Sequence, residues 1–399
     1  MHTAKGITMT VLDIYDQLKA AGLDPIKGLI ANVSKIFQLP QEAVNQLKGK
    51  MIAESFKFHC QYNPFYRNVC NEKGIAPKDV NGYDDLIKIP LVPITKYKSA
   101  ASHELLTVPL PRIEHEMRST GTSGIPSIAR RCSETMDNAV IGIYAMYREY
   151  FKISKGAGLY LCPSNEEFPE MGMIKALNML AGLLDTHRYM VKEERFIPEE
   201  ALAQLIQWRN KFTRYIIGPP FLIHRFIRFL KATKQRLSLD KDTLIITLGG
   251  WKHFTGQIIS RKAFNEECAE LLGIDPSQVR DMYGLVESNI LAIEDEFQVK
   301  HAAPYGHYSV RHPDDLSKEV PDGEKGVLAI LDPTSTSTPG MLLTEDIVYL
   351  VPEKSPSGRS GQRMQYVMRA PSAKEFGCCA VNLEKEMGQK EDPVHSSAS

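Results

Sequence analysis

Three short runs constrain the fold of this chain more than any other feature: "GAGLYLCPS" (156–164), "TRYIIGPP" (213–220) and "TLIITLGG" (243–250). Each is almost continuously apolar, ends at glycine or proline, and is followed by a stretch of helical periodicity, such as "SRKAFNEECAELLG" after the third. Buried strands that alternate with helices predict an α/β sheet, in which ligands bind outside the carboxyl ends of the strands.

The flanks differ in texture. The first 90 residues read as a helical region, with amphipathic segments around 11–21, 41–58 and 60–71, and the Pro-punctuated link "KIPLVPITKYKSA" follows. "HELLTV" (103–108) and "SIARRC" (127–132) have a strand-like pattern, and Ser133 stands where a helix N-cap is expected. Behind it, "ETMDNAVIGIYAMYREYF" has apolar residues at 136, 140, 143, 144, 147 and 151, the 3.6-residue repeat of a helix. From about 297 to 350 the pattern changes to short strands and turns, and the polar tail 388–399 has no apolar periodicity and is expected to be disordered.

Charge narrows the choice of partner. Lys and Arg together number 48, as do Asp and Glu, so no net field draws the chain to nucleic acid or anionic lipid. No run approaches the roughly 18 apolar residues of a spanning helix, and Asp13 and Asp16 interrupt the N-terminus before a secretory leader could form. The seven cysteines are scattered and lack C-x-x-C spacing, which points away from a disulfide framework or zinc site and toward a cytoplasmic location. The expected partner is therefore a small molecule or another protein.

Three motifs carry possible chemistry. The loop "STGTSGIPS" (119–127) is rich in the glycines and hydroxyls that let a backbone wrap an anion, although such clusters are as often plain surface turns. It has no lysine after its second glycine, so it is not a Walker A loop. "MYGLVESN" (282–289) has a Tyr-Gly turn leading to Glu287, an aromatic face and a carboxylate suited to a nucleotide and its metal ion. "LLTEDIVYL" (342–350) carries Asp346 after Thr344, and a carboxylate there could accept both hydroxyls of a ribose. Each motif alone has a bland reading: a surface turn, a buried tyrosine, a strand-edge aspartate.

In this order and at these separations, the three resemble the adenylate-forming enzymes, the acyl-CoA synthetase and luciferase superfamily. Further stretches resemble its acyl-protein synthetase (LuxE) branch: "LGGWK" at 248–252, "KHAAPYGHYSVRHPDDL" at 300–316 and "MRAPSAKEFGCCAVNLEK" near the C-terminus. The resemblance covers roughly residues 90 to 387. It implies an adenylate-forming core over 91–350 and a reduced C-terminal lid over 351–387.

Carried onto this sequence, it implies that Ser119, Thr120, Gly121, Thr122, Ser123 and Gly124 hold the ATP phosphates. Glu287 would position Mg²⁺, Tyr283 with Gly284 would lie against the adenylate, and Asp346 would take the ribose. Gly249, Gly250 and Trp251 would border the adenine and acyl pocket. Cys378 in "FGCC" would take the acyl group as a thioester, with Cys379 as the alternative. The implied substrate is a fatty acid, and the implied acceptor a partner acyl reductase that makes an aldehyde. Coenzyme A or an acyl-carrier protein, as with phenylacetate-type ligases, is the first alternative acceptor, and a non-catalytic nucleotide-binding subunit is the second alternative.

Two departures accompany the resemblance. Glu345 stands where the superfamily has glycine before the ribose aspartate, and only 53 residues (399 − 346) follow Asp346, too few for a full lid with its catalytic lysine. Arg363, Arg369 and Lys374 are the candidate replacement cations.

Overall fold

The three apolar runs become adjacent parallel strands. The computed structural model describes residues 15–22, 24–99, 101–119, 126–249 and 259–370. Strands β1 (Ala157–Tyr160), β2 (Thr186–Tyr189), β3 (Arg214–Gly218), β4 (Ile245–Leu248) and β5 (Val279–Tyr283) lie in the order β2-β1-β3-β4-β5, every ladder parallel. Every residue of β1, β3 and β4 is buried, which is why their sequences show no alternation.

Alternate residues of these strands serve two cores, as the two-residue period of a strand requires. Among the helices used below are α1 (Gln41–Tyr62), α2 (Pro64–Glu72), α3 (Ser133–Phe151), α4 (Pro198–Trp208), α5 (Pro220–Ala232) and α6 (Arg261–Leu272). Leu159, Ile216, Ile245 and Val279 face α4, α5 and α6, meeting Leu205, Phe226 and Phe264. Tyr160, Ile217, Ile246 and Met282 face the other way, into a core shared with Met146 and Tyr147 of α3 and with Val44 and Phe56 of α1.

Beyond β5 the sheet reverses character. Strands β6 (Ala292–Glu294), β7 (Lys300–Ala302), β8 (His307–His312), β9 (Asp315–Glu319), β10 (Gly326–Leu331), β11 (Met341–Leu350) and β12 (Arg363–Arg369) extend it in the order β5-β6-β7-β12-β11-β10-β8-β9. All of these ladders are antiparallel. The pair Val92–Pro93 adds a parallel edge on β11 at Leu342 and Leu343. Strand β5 is thus the switch between the two halves, and Tyr283 is its last residue.

Several local readings change. "HELLTV" forms a 3₁₀ turn over Ser102–Leu105 instead of a strand. Ser133 is the first residue of α3 rather than its cap: Cys132 takes the cap position, and the Ser133 hydroxyl donates to Glu114. Between α1 and α2 the chain breaks at Asn63, because a residue before proline disfavours the helical region. Asn63 Oδ1 then caps α2 by accepting from the Tyr66 N–H at 2.7 Å.

The segment 351–387, expected as a lid, begins inside the main sheet, since β12 pairs with both β11 and β7. Its remainder, with Cys378, Cys379 and Lys374, lies outside the described residues, as does the tail 388–399. The five described cysteines are free thiols, with Cys60 and Cys70 Sγ 3.1 Å apart. No described helix is long and apolar enough to cross a membrane.

Candidate active site

The loop 119–127 joins two strands, His115–Arg118 and Ile128–Arg131, that pair as an antiparallel hairpin. Its base is pinched shut. The Ser119 N–H donates to the Ser127 carbonyl at 3.0 Å, and the Ser127 N–H donates to Ser119 Oγ at 2.9 Å. Ser119 is therefore a hinge post of the loop, while Thr120, Gly121, Thr122, Ser123 and Gly124 lie outside the described residues.

The same hairpin reaches the segment that carries Glu287. Arg131 is buried, and its Nη2 donates to the carbonyls of Val286 at 2.8 Å and Ser288 at 3.1 Å, which bracket Glu287. Burial lowers the Arg131 pKa to about 10, which leaves it charged at neutral pH. From below, Asp332 Oδ2 accepts from the Asn289 N–H at 2.7 Å and the Ser288 hydroxyl at 3.0 Å. Asp332 Oδ1 accepts from the Thr334 N–H and hydroxyl at 2.9 and 2.6 Å. Backbone and side-chain donors thus satisfy a fully buried carboxylate, as such a group requires.

Behind this segment lies a second hydroxyl-rich stretch, "TSTST" at 334–338. Thr135 at the start of α3 accepts from the N–H groups of Thr336 and Ser337 at 3.0 and 2.9 Å. The Cys132 N–H donates to Ser337 Oγ at 2.8 Å. The end of the hairpin at Cys132, the start of α3 and the 334–338 stretch are thereby joined by bonds between residues about 200 apart in sequence.

Glu287 itself is buried, and desolvation raises its carboxyl above the ordinary range. Ser127 by hydrogen bonding, and Lys98 and Arg369 by charge, oppose that rise. The base of the hydroxyl loop and Glu287 therefore belong to one locus, although their sequence positions are 160 residues apart (287 − 127).

Tyr283 and Asp346 meet directly. The Tyr283 hydroxyl donates to Asp346 Oδ2 at 2.7 Å, joining the end of β5 to β11 across the sheet switch. Burial, and then Asp346, push the tyrosine pKa well up, so it stays a donor. Thr344 Oγ1 accepts from the Asp346 N–H at 3.1 Å while donating to the Leu328 carbonyl at 2.8 Å, which fixes the backbone before the carboxylate.

Two glycines shape the rim. Gly249, just after β4, has φ +99°, a left-handed conformation that favours glycine. A Cβ on Gly284 would lie 2.2 Å from Leu291 Cδ2, so the turn after Tyr283 packs too closely for a side chain without movement. Gly250 and Trp251 lie outside the described residues.

The structure therefore brings Ser119, Tyr283, Gly284, Glu287 and Asp346 to the region where the strand ends of the parallel half meet β11. Sequence reading missed Arg131, which appeared only as part of an ordinary strand, and Lys98, which lay within a proline-rich link. It also passed over "TSTST", although a second cluster of five hydroxyls was visible in the sequence.

The family model described as acyl-protein synthetase, LuxE, matches residues 20–387. A long-chain-fatty-acid–luciferin-component ligase from Aliivibrio fischeri is 27% identical over 375 residues, covering 93% of this chain and 96% of its own. A protein of the same name from Vibrio harveyi is 27% identical over 352 residues, covering 87% and 90%. Among solved structures, 2-hydroxyisobutyryl-CoA ligase in an open conformation superposes with a TM-score of 0.63 at 19% identity. That superposition covers 84% of this chain and 77% of the other, and it shows that the fold is that of the adenylate-forming ligases.

Proposed function

The chain belongs to the acyl-protein synthetase (LuxE) family, and on that premise we propose that it activates a long-chain fatty acid with ATP and passes the acyl group to a protein. The observation that carries this reading is the contact of Tyr283 with Asp346 at the sheet switch, together with buried Glu287 hydrogen-bonded to Ser127 at the pinched base of the hydroxyl loop. The two relatives named for long-chain fatty acids support the choice of acid. We place the reaction in the cytoplasm.

In this reading, residues 120–124 wrap the triphosphate with backbone N–H groups and hydroxyls, Ser119 anchors the base of that loop, and Asp346 accepts from the ribose hydroxyls. Tyr283 holds Asp346 in place and, with Gly284, forms the surface against the adenylate. Gly249, Gly250 and Trp251 line the adenine and acyl side. Mg²⁺ in such sites takes one or two carboxylates plus phosphate oxygens and water. A buried glutamate kept among positive charges suits that role, so Glu287 would hold the ion, which supplies charge neutralisation at the phosphates.

The fatty-acid carboxylate oxygen bonds to the α-phosphorus, the bond to the β-phosphate oxygen breaks, and pyrophosphate leaves with the electron pair. No proton moves in that step, so the chain contributes alignment and charge. The Cys378 thiolate then attacks the acyl carbon and AMP departs. The thioester so formed delivers the acyl group to a partner reductase, with coenzyme A or an acyl-carrier protein as the alternative acceptor.

Acid-dependent exchange of pyrophosphate into ATP tests the first half. It should appear with long-chain fatty acids, and its absence with every acid would leave only a nucleotide-binding subunit. Labelling with radioactive fatty acid tests the second half. Cys378→Ser should retain exchange and lose the hydroxylamine-labile label, because serine stays protonated and is a weak nucleophile near neutral pH. Normal labelling in Cys378→Ser but not in Cys379→Ser would move the thioester to the neighbouring residue.

A further inference from the structure

Glu345, the residue that stands in place of the superfamily's glycine, is not an incidental substitution in the fold. Its Oε2 accepts from Lys98 Nζ at 2.9 Å and from Arg369 Nη2 at 3.1 Å. The Lys98 and Glu345 side chains are only 12% and 16% exposed. The two cations arrive from separate elements. Lys98 ends the 3₁₀ turn Ile94–Lys98, directly after the two residues that pair with β11. Arg369 ends β12, where its Cα partner across the ladder is Asp346.

One carboxylate, Glu345, thus gathers two positive groups on the residue next to Asp346. Both cations also act on Glu287. Both cations therefore lie beside Glu287, read as the Mg²⁺ ligand, and beside the strand that carries Asp346, read as the ribose acceptor, and the α-phosphate of a bound ATP lies between those two groups.

We propose that Lys98 is a catalytic residue of adenylation: held by Glu345, its ammonium contacts the α-phosphate and neutralises the charge that builds as the fatty-acid carboxylate attacks. The inference rests on the placement of ATP at Glu287 and Asp346. Among the other candidate cations, Arg363 is buried at the opposite end of β12 from Arg369, partnered in the ladder with His301.

The chemistry asks for charge and nothing else. The carboxylate oxygen forms its bond to phosphorus, the bridging bond to the β-phosphate breaks, and pyrophosphate carries off the electrons. Positive charge preorganised at such a centre is worth more than the same charge in water, and losing one such contact typically costs about 100-fold or more in turnover.

The test uses the full chain, with three readouts: pyrophosphate exchange, equilibrium ATP binding by calorimetry, and the thermal midpoint. Lys98→Met should lose about 100-fold in exchange turnover while ATP affinity changes by less than about threefold. Lys98→Arg, which keeps the charge, should regain at least about a tenth of wild-type turnover, and it remains informative if Lys98→Met fails to fold. The charge swap K98E/E345K separates chemistry from architecture. It should restore the thermal midpoint lost in K98E without restoring exchange.

Exchange above half of wild type in Lys98→Met, or recovery of exchange together with stability in the swap, would make Lys98 a structural ion pair only. Asp346→Ala serves as the reference. Full exchange in that variant would overturn the placement of ATP itself, whereas loss there with wild-type exchange in Lys98→Met would overturn the role of Lys98 alone.

Discussion

The two halves of the one sheet solve opposite problems. In the parallel half, β1, β3 and β4 are buried along their whole length and pack through Leu159, Ile216 and Ile245 on α4, α5 and α6. On the far side of β5 the structure buries polar groups: Arg131, Glu287, Ser288, Asn289, Asp332, Thr334 and Asp346 all lie within the fold. The first region is stabilised by removing apolar surface from water, a force without direction. The second buries apolar residues as well, such as Leu328, Leu331, Met341 and Met364. Around the candidate site, however, it adds hydrogen bonds, among them Arg131 to Val286 and Asn289 to Asp332, and each bond fixes a direction. On the proposed function the chemistry gathers in the second region, so substitutions in the two regions should fail in different ways.

The largest effect is expected in the apolar half. Phe226 of α5 is fully buried in the core under β1 and β3. Phe226→Ala should cost about 3–5 kcal/mol of unfolding free energy, the usual range for a buried aromatic truncated to alanine. Denaturant unfolding measures it, and pyrophosphate exchange by the protein that remains folded should keep wild-type ATP dependence. A large rise in KM for ATP in this variant would break the division between the halves.

Asp346→Ala should do the reverse. It removes the proposed acceptor for the ribose hydroxyls, with charge-assisted bonds worth about 1.5–3 kcal/mol each, so exchange efficiency should fall by at least about tenfold. Unchanged kinetics with ATP would mean that the ribose is held elsewhere.

The third prediction tests the polar half through pH. His59 of α1 is fully buried, and its Nε2–H donates to the Ser335 carbonyl at 3.0 Å. Nδ1 must then accept from the Thr107 hydroxyl at 2.7 Å, so the neutral form fits the site. Burial depresses its pKa from the ordinary 6.5 to about 4. With the folded value below the unfolded one, this stabilisation is complete above about pH 6.5 and is lost as pH falls toward 4. Linkage puts the loss at about 2 kcal/mol by pH 5. His59→Gln should remove this acid-side step from the stability profile, and an identical profile in the variant would assign the step to another group.

The same division governs what the sequence could tell. Three of the five parallel strands, β1, β3 and β4, were legible because burial on both faces writes itself locally, as runs such as "YIIG" and "IITL" bounded by glycine or proline, whereas β2 is partly exposed and has no such run. Tyr283, Glu287 and Asp346 were legible only as members of a motif series, since none of them has a local pattern that sets it apart. Arg131 and Lys98 were not legible at all. Their partners, the carbonyls of Val286 and Ser288 and the carboxylate of Glu345, lie 155 to 247 residues away, and no window of sequence contains both ends. "HELLTV" was misread for a related reason: the turn at Ser102–Leu105 is set by tertiary contacts, such as the Asn63 side chain donating to the Leu105 carbonyl at 2.8 Å.

The smallest effect is expected at the joint between the halves. Tyr283 ends the last parallel strand, and its hydroxyl is the direct link from β5 to the carboxylate on β11. Tyr283→Phe keeps the ring, its burial and its packing near Tyr366, whose centroid lies 6.0 Å away. Only the donor is lost. A single hydrogen bond of this kind contributes about 0.5–1.5 kcal/mol net, somewhat more to a charged acceptor. Because the bond orients Asp346 without making it, ATP KM should rise about two- to tenfold, with the thermal midpoint shifting by only a few degrees. If the contact instead works as part of the apolar scaffold, the order of effects inverts, with a clear fall in the thermal midpoint and an unchanged KM. Steady-state exchange kinetics beside a thermal melt distinguish the two outcomes at the residue where the sheet changes from one kind of order to the other.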